Sequence, residues 1–488
     1  MSQKTQKLLE FNQQPKPKNN TIDKLIFNIK VLFFFFFSRV LVFLSWITRK
    51  GSGTSLPGYY VEKWFPNILS FFSGKYKKVI YISGTNGKTT TRAVTNYVLD
   101  QYGFNVATNT GGANILRGLA STLLKDLKIG FNGILPVLKP GSEVLLLEVE
   151  EATLPKISRL LKCDILVLTN LFRDQLDAYG EIDTTLEYFI NFLKLQPTIK
   201  VILNGDDGKL SALTNNKLLS HVIFKSCSVK TTNKMRYESQ LTKIVDCDLV
   251  ANNLKFKQGI LSFDVLENFQ INPISGLAQE SKIVNTFTTE MSAVYNVYNM
   301  LFSIAIAKEL RIKCEDNRLV KIIDRIKPVF GRGESFNINE KKVFLYLVKN
   351  PAGYDLVLDH LQMAFTNDKV SLAFLINDRI ADSQDVSWLW DVSFESKALN
   401  WRDNNVSVTQ LVTGGARGDD MALRLSYAFG EDIITKDTNK GSIDNVVDIL
   451  NSDDKVWVVM ATYTAMLEFR QSISRYVKVR EINAKEGE

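Results

Sequence analysis

The sequence predicts an α/β fold, with a larger central domain followed by a smaller C-terminal α/β domain. Continuous apolar runs alternate with longer helical patterns along residues 78–203, which is typical of strands buried in a parallel sheet. The same alternation returns after residue 331. Of the 488 residues, 45% are hydrophobic, and only 27 are Gly and 11 are Pro. This composition excludes disordered, collagen-like and low-complexity chains.

A basic and apolar segment, residues 1–50, precedes these domains. It contains nine basic and two acidic residues and so accounts for most of the net charge of +8. The rest of the chain is almost neutral, which argues against a nucleic-acid partner. Residues 25–47 include five consecutive phenylalanines, at positions 33–37.

Three interpretations of residues 25–47 are open. An interfacial helix on anionic lipid would place the protein in the cytoplasm, peripheral on the inner face of the cell membrane. A single span is strained, because Arg39 would lie inside it. The third interpretation is a helix that is buried against the following domain.

The predicted strands divide the remaining chain into two domains. We expect the central domain at residues 51–330, with strands at 78–83, 143–148, 164–169 and 200–203. We expect the C-terminal domain at residues 331–488, with strands at 343–348, 372–376, 408–412 and 456–459. Residues 208–290 show neither a clear strand nor a clear helix pattern.

A glycine-rich loop follows the first predicted strand and leads directly into a helical pattern. Backbone N–H groups at its glycines can converge on a polyphosphate, Lys88 can reach the β and γ oxygens, and the Thr89 hydroxyl can ligate Mg²⁺. A structural glycine turn is the alternative. The residues of the predicted nucleotide loop are Gly84, Thr85, Asn86, Gly87, Lys88, Thr89 and Thr90.

Acidic side chains follow the second predicted strand. Glu148 closes this strand, and Glu150 and Glu151 come within one turn of it. Carboxylates at this edge of the sheet could hold Mg²⁺ beside the loop. A solvated acidic strand end is the alternative.

The four cysteines stand far apart and form no CxxC pair. This spacing predicts neither a disulfide framework nor a zinc site, and a reducing cytoplasm fits best.

The motifs resemble those of Mur ligases and folylpolyglutamate synthetases and, more specifically, those of the MurT family. The GTNGKTT loop carries the general resemblance. The MurT resemblance is carried by TNLFRDQLD at 169–177, KNPAG at 349–353, ND at 377–378, DVSW at 385–388 and RGDD at 417–420.

This resemblance implies a Mur-ligase-like central P-loop domain that binds ATP and Mg²⁺. It also implies the synthetase subunit of lipid II isoglutaminyl synthase, an enzyme of peptidoglycan biosynthesis. Such a subunit amidates the α-carboxylate of D-glutamate in lipid II to D-isoglutamine through an acyl phosphate. Ammonia would come from a GatD-type glutamine amidotransferase subunit in a heterodimer.

The resemblance further implies roles for residues outside the loop. Glu148 would be the metal-side acid, and Asn296 and Asn299 would contact the adenine. Arg332 would reach the γ-phosphate, and Asn350 would lie near the ribose. The alternatives are helix packing or capping for the two asparagines and an interdomain ion pair for Arg332.

One departure from the family pattern concerns the metal. Gln175 stands where typical Mur ligases have a metal-contacting histidine, and an amide is not a comparable ligand. The number of Mg²⁺ ions is therefore left open.

Asp385 would complete a Cys-His-Asp glutaminase triad whose Cys and His belong to the partner. The chain has only two histidines, His221 and His360, and neither forms a thiol-nucleophile signature with a cysteine. An autonomous glutaminase is therefore not expected. The alternative is that Asp385 caps a helix that begins at Val386.

Two other functions remain open at this level. One is a Mur-like or folylpolyglutamate-like ligase that adds an amino acid and needs no glutaminase. The other is a membrane-recruited, nucleotide-gated scaffold without turnover.

Overall fold

The computed structural model describes most of the chain. The described residues are 21–48, 56–109, 113–129, 136–138, 142–172, 181–230, 246–257, 259–270, 283–291, 293–328, 331–338, 340–365, 368–382, 384–403, 406–430, 434–436 and 455–477.

Helices are distributed along the whole described chain. In chain order they are α1 (Thr21–Thr48), α2 (Leu56–Trp64), α3 (Lys88–Gln101), α4 (Leu116–Lys125), α5 (Leu154–Ile157), α6 (Glu181–Lys194), α7 (Gly208–Ala212), α8 (Val294–Glu309), α9 (Asn317–Asp324), α10 (Pro351–Ala364), α11 (Phe394–Asp403), α12 (Gly418–Phe429) and α13 (Tyr463–Ile473).

Most strands belong to two large sheets. The strands of the first sheet, in chain order, are β1 (Lys78–Ser83), β2 (Asn105–Thr108), β5 (Ser142–Glu148), β6 (Ile165–Leu168), β7 (Ile199–Asn204), β8 (Val222–Val229), β9 (Asp246–Lys257), β10 (Ile260–Gln270) and β11 (Ile283–Thr289). A separate short pair consists of β3 (Leu127–Ile129) and β4 (Pro136–Leu138).

The first sheet has the spatial order β11-β10-β9-β8-β7-β6-β1-β5-β2. Within this spatial order, every neighbouring pair between β9 and β2 is parallel. Side chains of β1 alternate between two cores: Val79 and Tyr81 face one, and Ile80 and Ile82 face the other. Helices cover both faces, which explains why the strands read as continuous apolar runs.

The parts of the sheet that the sequence did not predict are the edge strand β2 and the strands β8 to β11. Strands β9, β10 and β11 form an antiparallel meander at the edge of the sheet. The sequences of these strands mix apolar and polar residues, because one face of the strands is partly exposed to solvent. Asn252 and Asp264 are examples of the polar residues. This mixture hid the strand pattern in residues 208–290.

The second sheet belongs to the C-terminal part of the chain. Its strands are β12 (Arg332–Ile338), β13 (Lys341–Leu347), β14 (Lys369–Leu375), β15 (Ser407–Gly414), β16 (Ile434–Lys436) and β17 (Val456–Ala461). Their spatial order is β12-β13-β17-β14-β15-β16, and among them only β12 runs antiparallel to its neighbour.

The predicted α/β fold class is confirmed. Each of the eight predicted strands corresponds to a strand of one of the two sheets. The domain boundaries at residues 50 and 330 stay predictions, although the first sheet ends at Thr289 and the second begins at Arg332. Helix α1 precedes the first sheet and packs on α2 and on Phe65.

Candidate active site

The predicted nucleotide loop joins β1, in the interior of the first sheet, to the N-terminus of α3. Two glycines in it have positive φ, +124° at Gly84 and +86° at Gly87. A Cβ at Gly84 would lie 2.3 Å from Thr169 Oγ1, and one at Gly87 would lie 2.6 Å from Asn299 Oδ1. Both positions therefore require glycine, for conformation and for space.

Residues that follow β6 hold this loop in place. Asn170 accepts hydrogen bonds from the N–H of Thr85 (3.0 Å, at its carbonyl) and of Asn86 (2.9 Å, at Oδ1). The hydroxyl of Thr169 donates to the carbonyl of Asn86 at 2.7 Å. Thr169 and Asn170 belong to the motif at 169–177, but the sequence alone assigned them no role.

The cationic side of the loop is neutralised by one carboxylate. Lys88 Nζ lies 2.9 Å from Glu151 Oε1, and the N–H of Gly84 donates to the same oxygen at 3.1 Å. Lys88 also donates to the carbonyl oxygens of Gly84 and Thr85. An ammonium and a backbone N–H that both point at one anion are the donors that a phosphate group would use.

The two residues predicted to bind Mg²⁺ are in contact with each other. The Thr89 hydroxyl donates to Glu148 Oε1 at 3.1 Å. Glu148 is buried, and within the described chain its Oε2 has no hydrogen-bond partner, although Arg92 Nε lies 3.9 Å away. Asn109 fixes the backbone of Glu148, since it bonds both the N–H and the carbonyl group at 2.9 Å.

This oxygen donor set fits Mg²⁺. The ion prefers oxygen ligands and usually takes only one or two from the protein, since waters and phosphate oxygens complete its shell. In the described residues, no group of three or more His, Cys, Asp or Glu side chains is placed to hold a metal.

The expectation of no zinc stays a prediction. All four cysteines are buried, and burial raises the pKa of the Cys227 and Cys163 thiols well above the usual range. Residues 231–245, between Cys227 and Cys247, lie outside the described residues.

A pocket opens beside the loop, between the two sheet-bearing parts of the chain. It encloses about 630 Å³, part of which is open to solvent. Aromatic and aliphatic side chains provide faces for a planar ring, and amides provide hydrogen-bonding groups. The lining residues are Asn86, Gly87, Asn170, Phe172, Asn204, Tyr295, Tyr298, Asn299, Phe302, Arg332, Leu347, Gly353, Leu356 and Val357.

The two asparagines predicted to contact adenine occupy different positions. Asn299 lines the pocket and accepts a 3.0 Å hydrogen bond from the Thr91 hydroxyl. Asn296 is fully buried behind it and accepts a hydrogen bond of 3.1 Å from Asn299 Nδ2. Tyr295 and Tyr298, on either side of Asn296 in the chain, also line the pocket, and the sequence analysis assigned them no role.

A buried carboxylate orients one of these tyrosines. The Tyr298 hydroxyl donates to Asp206 at 2.6 Å, and Ser228 and the N–H of Val229 donate to the same carboxylate at 2.8 Å. Burial raises the pKa of Asp206, and these hydrogen bonds act against the rise.

Arg332 and Asn350 both lie near the junction between the two sheets. Arg332 lines the pocket. Asn350 is buried and caps α10, since its Oδ1 accepts a hydrogen bond of 2.8 Å from the N–H of Gly353. Asn350 thus does not line the pocket itself, but it is hydrogen-bonded to Gly353, which does.

Asp385 lies in the C-terminal part of the chain and is not among the residues that line the pocket. Its carboxylate is exposed and accepts a 2.8 Å hydrogen bond from the N–H of Ser387, the first residue of a 3₁₀ helix, Ser387–Asp391. Hydrogen bonding to Ser387 holds the pKa of Asp385 below its usual value. The helix thus begins one residue later than the capping alternative assumed, with Val386 at its N-cap position, and Asp385 bonds the residue two positions further along the chain. Its carboxylate is still accessible.

The loop that carries Asp385 is anchored upstream. The Asp382 carboxylate accepts hydrogen bonds from the N–H and the hydroxyl of Thr464, and Asn377 donates to the same hydroxyl at 3.0 Å.

Gln175, with the rest of residues 173–180, lies outside the described residues.

Comparison with known proteins agrees with these features. The profile of the Mur ligase middle domain matches residues 82–307. The profile of the MurT ligase C-terminal domain matches residues 347–466. The crystal structure of the MurF ligase from Thermotoga maritima in complex with ADP superimposes with a TM-score of 0.58 at 14% identity, covering 86% of this chain and 84% of that chain.

Two sequence relatives carry the same description. The Streptococcus pneumoniae protein called lipid II isoglutaminyl synthase (glutamine-hydrolyzing) subunit MurT is 30% identical over 453 residues, which is 90% of this chain and 96% of that protein. The Staphylococcus aureus (strain COL) protein of the same description is 26% identical over 414 residues, which is 79% of this chain and 87% of that protein.

The fold is that of the Mur ligases, and the relatives indicate an ATP-dependent ligase of this type. Within that class, the chain belongs to the MurT family. The resemblance drawn from the sequence motifs is therefore confirmed. The individual roles predicted for the site residues stay predictions.

Proposed function

We propose that this protein is the ATP-dependent synthetase subunit of a lipid II isoglutaminyl synthase. It would convert the α-carboxylate of D-glutamate in the stem peptide to the amide of D-isoglutamine. The observation that carries this proposal is the phosphate loop of a chain of the MurT family, in which Lys88 bonds the carbonyl of Gly84 and Thr89 bonds Glu148.

The loop residues support activation of a carboxylate by ATP. The N–H groups of the loop and Lys88 would bind the phosphates, while Thr89 and Glu148 would hold Mg²⁺. The metal ion would supply charge neutralisation to the transferring phosphoryl group. Phosphorylation gives the carboxylate a leaving group, and attack by ammonia on the acyl phosphate then forms the amide and releases phosphate.

The pocket between the sheets supports binding of the nucleoside. Tyr295, Tyr298 and Asn299 lie beside the loop and could contact the base. Arg332 comes from the other sheet, so a nucleotide would be held by both parts of the chain. Closure around it would bring the guanidinium to the γ-phosphate.

The exposed position of Asp385 supports a role across an interface with a GatD-type glutaminase. The two chains would form a heterodimer, and the aspartate would orient the imidazole of the partner. The histidines of this chain do not favour an autonomous glutaminase, since His360 is fully buried and His221 Nε2 lies 3.1 Å from the carbonyl oxygen of Leu193.

An aromatic pair close to Asp385 supports the same interface. Trp390, in the 3₁₀ helix after Asp385, and Tyr427, on α12, are both more than half exposed, and their ring centroids lie 5.4 Å apart. Leu423 is exposed on the same helix. Exposed aromatic side chains of this kind are typical anchors of protein interfaces.

Location at the inner face of the cell membrane is part of the proposal. Residues 25–47 lie in α1. Judged by length and composition alone, the segment Ile22–Phe43 of this helix is long and apolar enough to cross a membrane. A membrane-associated enzyme would meet a lipid-linked substrate where that substrate resides.

Mass spectrometry of lipid II tests the proposed chemistry. Purified protein is incubated with lipid II, ATP, Mg²⁺ and ammonium, and we expect a mass decrease of about 1 Da, since amidation replaces OH by NH₂. Turnover only after addition of a glutaminase partner and glutamine would mean that the partner completes the site. No mass change in either case would contradict the proposal and favour an amino-acid ligase or a scaffold.

A further inference from the structure

Helix α1 presents a continuous row of exposed apolar side chains, which we call the apolar stripe. At about 100° per residue, these side chains fall within a sector of about 100° on the helix surface. Their exposed fractions range from 46% to 64%. The stripe consists of Ile22, Leu25, Ile26, Ile29, Phe33, Phe36, Val40 and Phe43.

The opposite face of α1 is part of the folded central domain. Phe34 and Phe35 are buried on this face, and the ring of Phe34 stacks on Phe65 with centroids 5.6 Å apart. The guanidinium of Arg39 donates a 2.8 Å hydrogen bond to the carbonyl of Leu127. A membrane span would have to break these contacts, whereas an in-plane position keeps them.

Positive charge flanks the stripe. At about 100° per residue, Lys30 and Arg39 lie on its two sides, each about a quarter turn from its centre. Both are exposed, and α1 contains one acidic residue, Asp23. Anionic lipid headgroups complement this pattern. A second copy of the same helix would instead bring like charges together.

Exposed aromatic side chains also lie on the neighbouring helix α2. Trp64, at the end of α2, is about half exposed, and its ring centroid lies 6.3 Å from that of Phe37 on α1. Tyr59, on the same helix, is also exposed. Tryptophan and tyrosine side chains favour the level of the headgroups at a membrane surface.

One short helix connects this surface to the site. Arg39 binds the chain just after the C-terminus of α4, at Leu127. Before the N-terminus of α4, the carbonyl of Asn114 accepts a 3.0 Å hydrogen bond from the N–H of Glu150, next to the acids of the site. The ten residues of α4 span about 15 Å. The stripe is therefore fixed at a short distance from the phosphate loop.

We propose that the apolar stripe lies in the surface of an anionic bilayer, with α1 parallel to the membrane plane. The rigid attachment of α1 then selects membrane-anchored peptidoglycan precursors over water-soluble ones, because the site is held at the height of the anchored substrate. The choice of substrate rests on the proposed function, but the membrane contact does not.

Vesicle cosedimentation tests the contact. The purified protein is mixed with phosphatidylcholine vesicles that contain or lack phosphatidylglycerol. The double variant Phe33→Glu/Phe36→Glu should bind anionic vesicles at least about tenfold more weakly, since it places two charges on the stripe. The matched control is Leu218→Glu/Ile223→Glu, which adds the same charges at two exposed apolar positions outside α1.

Three results would overturn the inference. In the first, the stripe variant binds anionic vesicles as well as the control. In the second, alkaline carbonate fails to release the natural protein, which would indicate a span. In the third, sedimentation velocity finds a dimer that only the stripe variant loses, which would assign the stripe to a second copy.

Activity separates this inference from the proposed function. With ammonium as donor, the stripe variant should lose about tenfold in rate on lipid II in anionic vesicles. It should keep its rate on the water-soluble nucleotide-linked pentapeptide. Equal losses on both substrates would overturn the selection argument. A natural protein inactive on both would contradict the proposed function, while vesicle binding would still decide the contact.

Discussion

The ammonium group of Lys88 lies 2.9 Å from the carboxylate of Glu151, and that carboxylate also accepts the N–H of Gly84. Lys88 and Gly84 belong to the loop that is predicted to bind phosphate. Glu151 therefore competes with a nucleotide for the same two donors, and its negative charge repels the incoming phosphates.

The variant Glu151→Gln should bind ATP more tightly. Loss of the charge frees Lys88, and we expect roughly a tenfold lower Kd, because hydrogen bonds to charged groups contribute about 1.5–3 kcal/mol. Isothermal titration without Mg²⁺ measures the effect, with Glu150→Gln as the control. Weaker binding by Glu151→Gln only when Mg²⁺ is present would assign Glu151 to the metal instead.

Replacement of Lys88 by Ala should abolish ATP turnover. The side chain is the cation of the loop, and its loss should lower the rate by about 100-fold or more, since it removes charge stabilisation of the transferring phosphoryl group. Release of phosphate with lipid II and ammonium is the measurement. Lys78→Ala, at the exposed start of β1, is the control. A Lys88→Ala variant with normal turnover would refute the assignment of the loop.

Asp385→Ala should separate the two sources of ammonia. With the glutaminase partner and glutamine, we expect the rate to fall by about 100-fold or more, because an unoriented imidazole is a poor base. With ammonium, the rate should remain close to that of the natural protein. Asp391→Ala, an exposed aspartate at the end of the same 3₁₀ helix, serves as the control. If both activities survive in Asp385→Ala, the triad role is wrong.

His360 should make the fold sensitive to acid. Its ring is buried between Phe256 and Tyr346, and burial lowers its pKa from 6.5 to about 3. Between these values the unfolded chain binds a proton that the folded chain does not, so stability falls as the pH falls from 6.5 towards 3. This loss is about 2–3 kcal/mol between pH 7 and pH 4.5.

His360→Phe should remove that part of the acid sensitivity. Thermal unfolding at pH 7 and pH 4.5 compares the two proteins, and the decrease in Tm should be smaller for the variant. His221→Phe, at an exposed position, is the control. Equal decreases for the natural protein and His360→Phe would mean that the buried imidazole takes up its proton in the folded state.

The sequence was sufficient for the fold class because its signals are local. The continuous apolar runs of β1 and β6 need no partner to be recognised, since strands covered on both faces are apolar throughout. The loop from Gly84 to Thr89 is likewise a contiguous motif between a strand and a helix. The meander β9 to β11 was missed, because its register depends on neighbours rather than on local composition.

The details of the site depend on distances between remote parts of the chain. Nothing in the sequence around Glu151 indicates that its carboxylate turns towards Lys88, and nothing around Thr169 indicates a bond to Asn86. Asn296 and Asn299 are three residues apart on one helix, yet only Asn299 reaches the pocket. The helical period places both residues on the same face of the helix, but it does not determine which of the two side chains lines the pocket.

The close approach of Gly87 and Asn299 also has a consequence for how this family can change over time. The two positions are separated by more than two hundred residues of chain, but a methyl group on the first would overlap the amide of the second. A shortened side chain at 299 would remove this overlap, but the positive φ of Gly87 would still penalise any larger residue there. Directed evolution of the nucleotide pocket should therefore recover enlargements at 87 rarely, and then only together with a shortened side chain at 299.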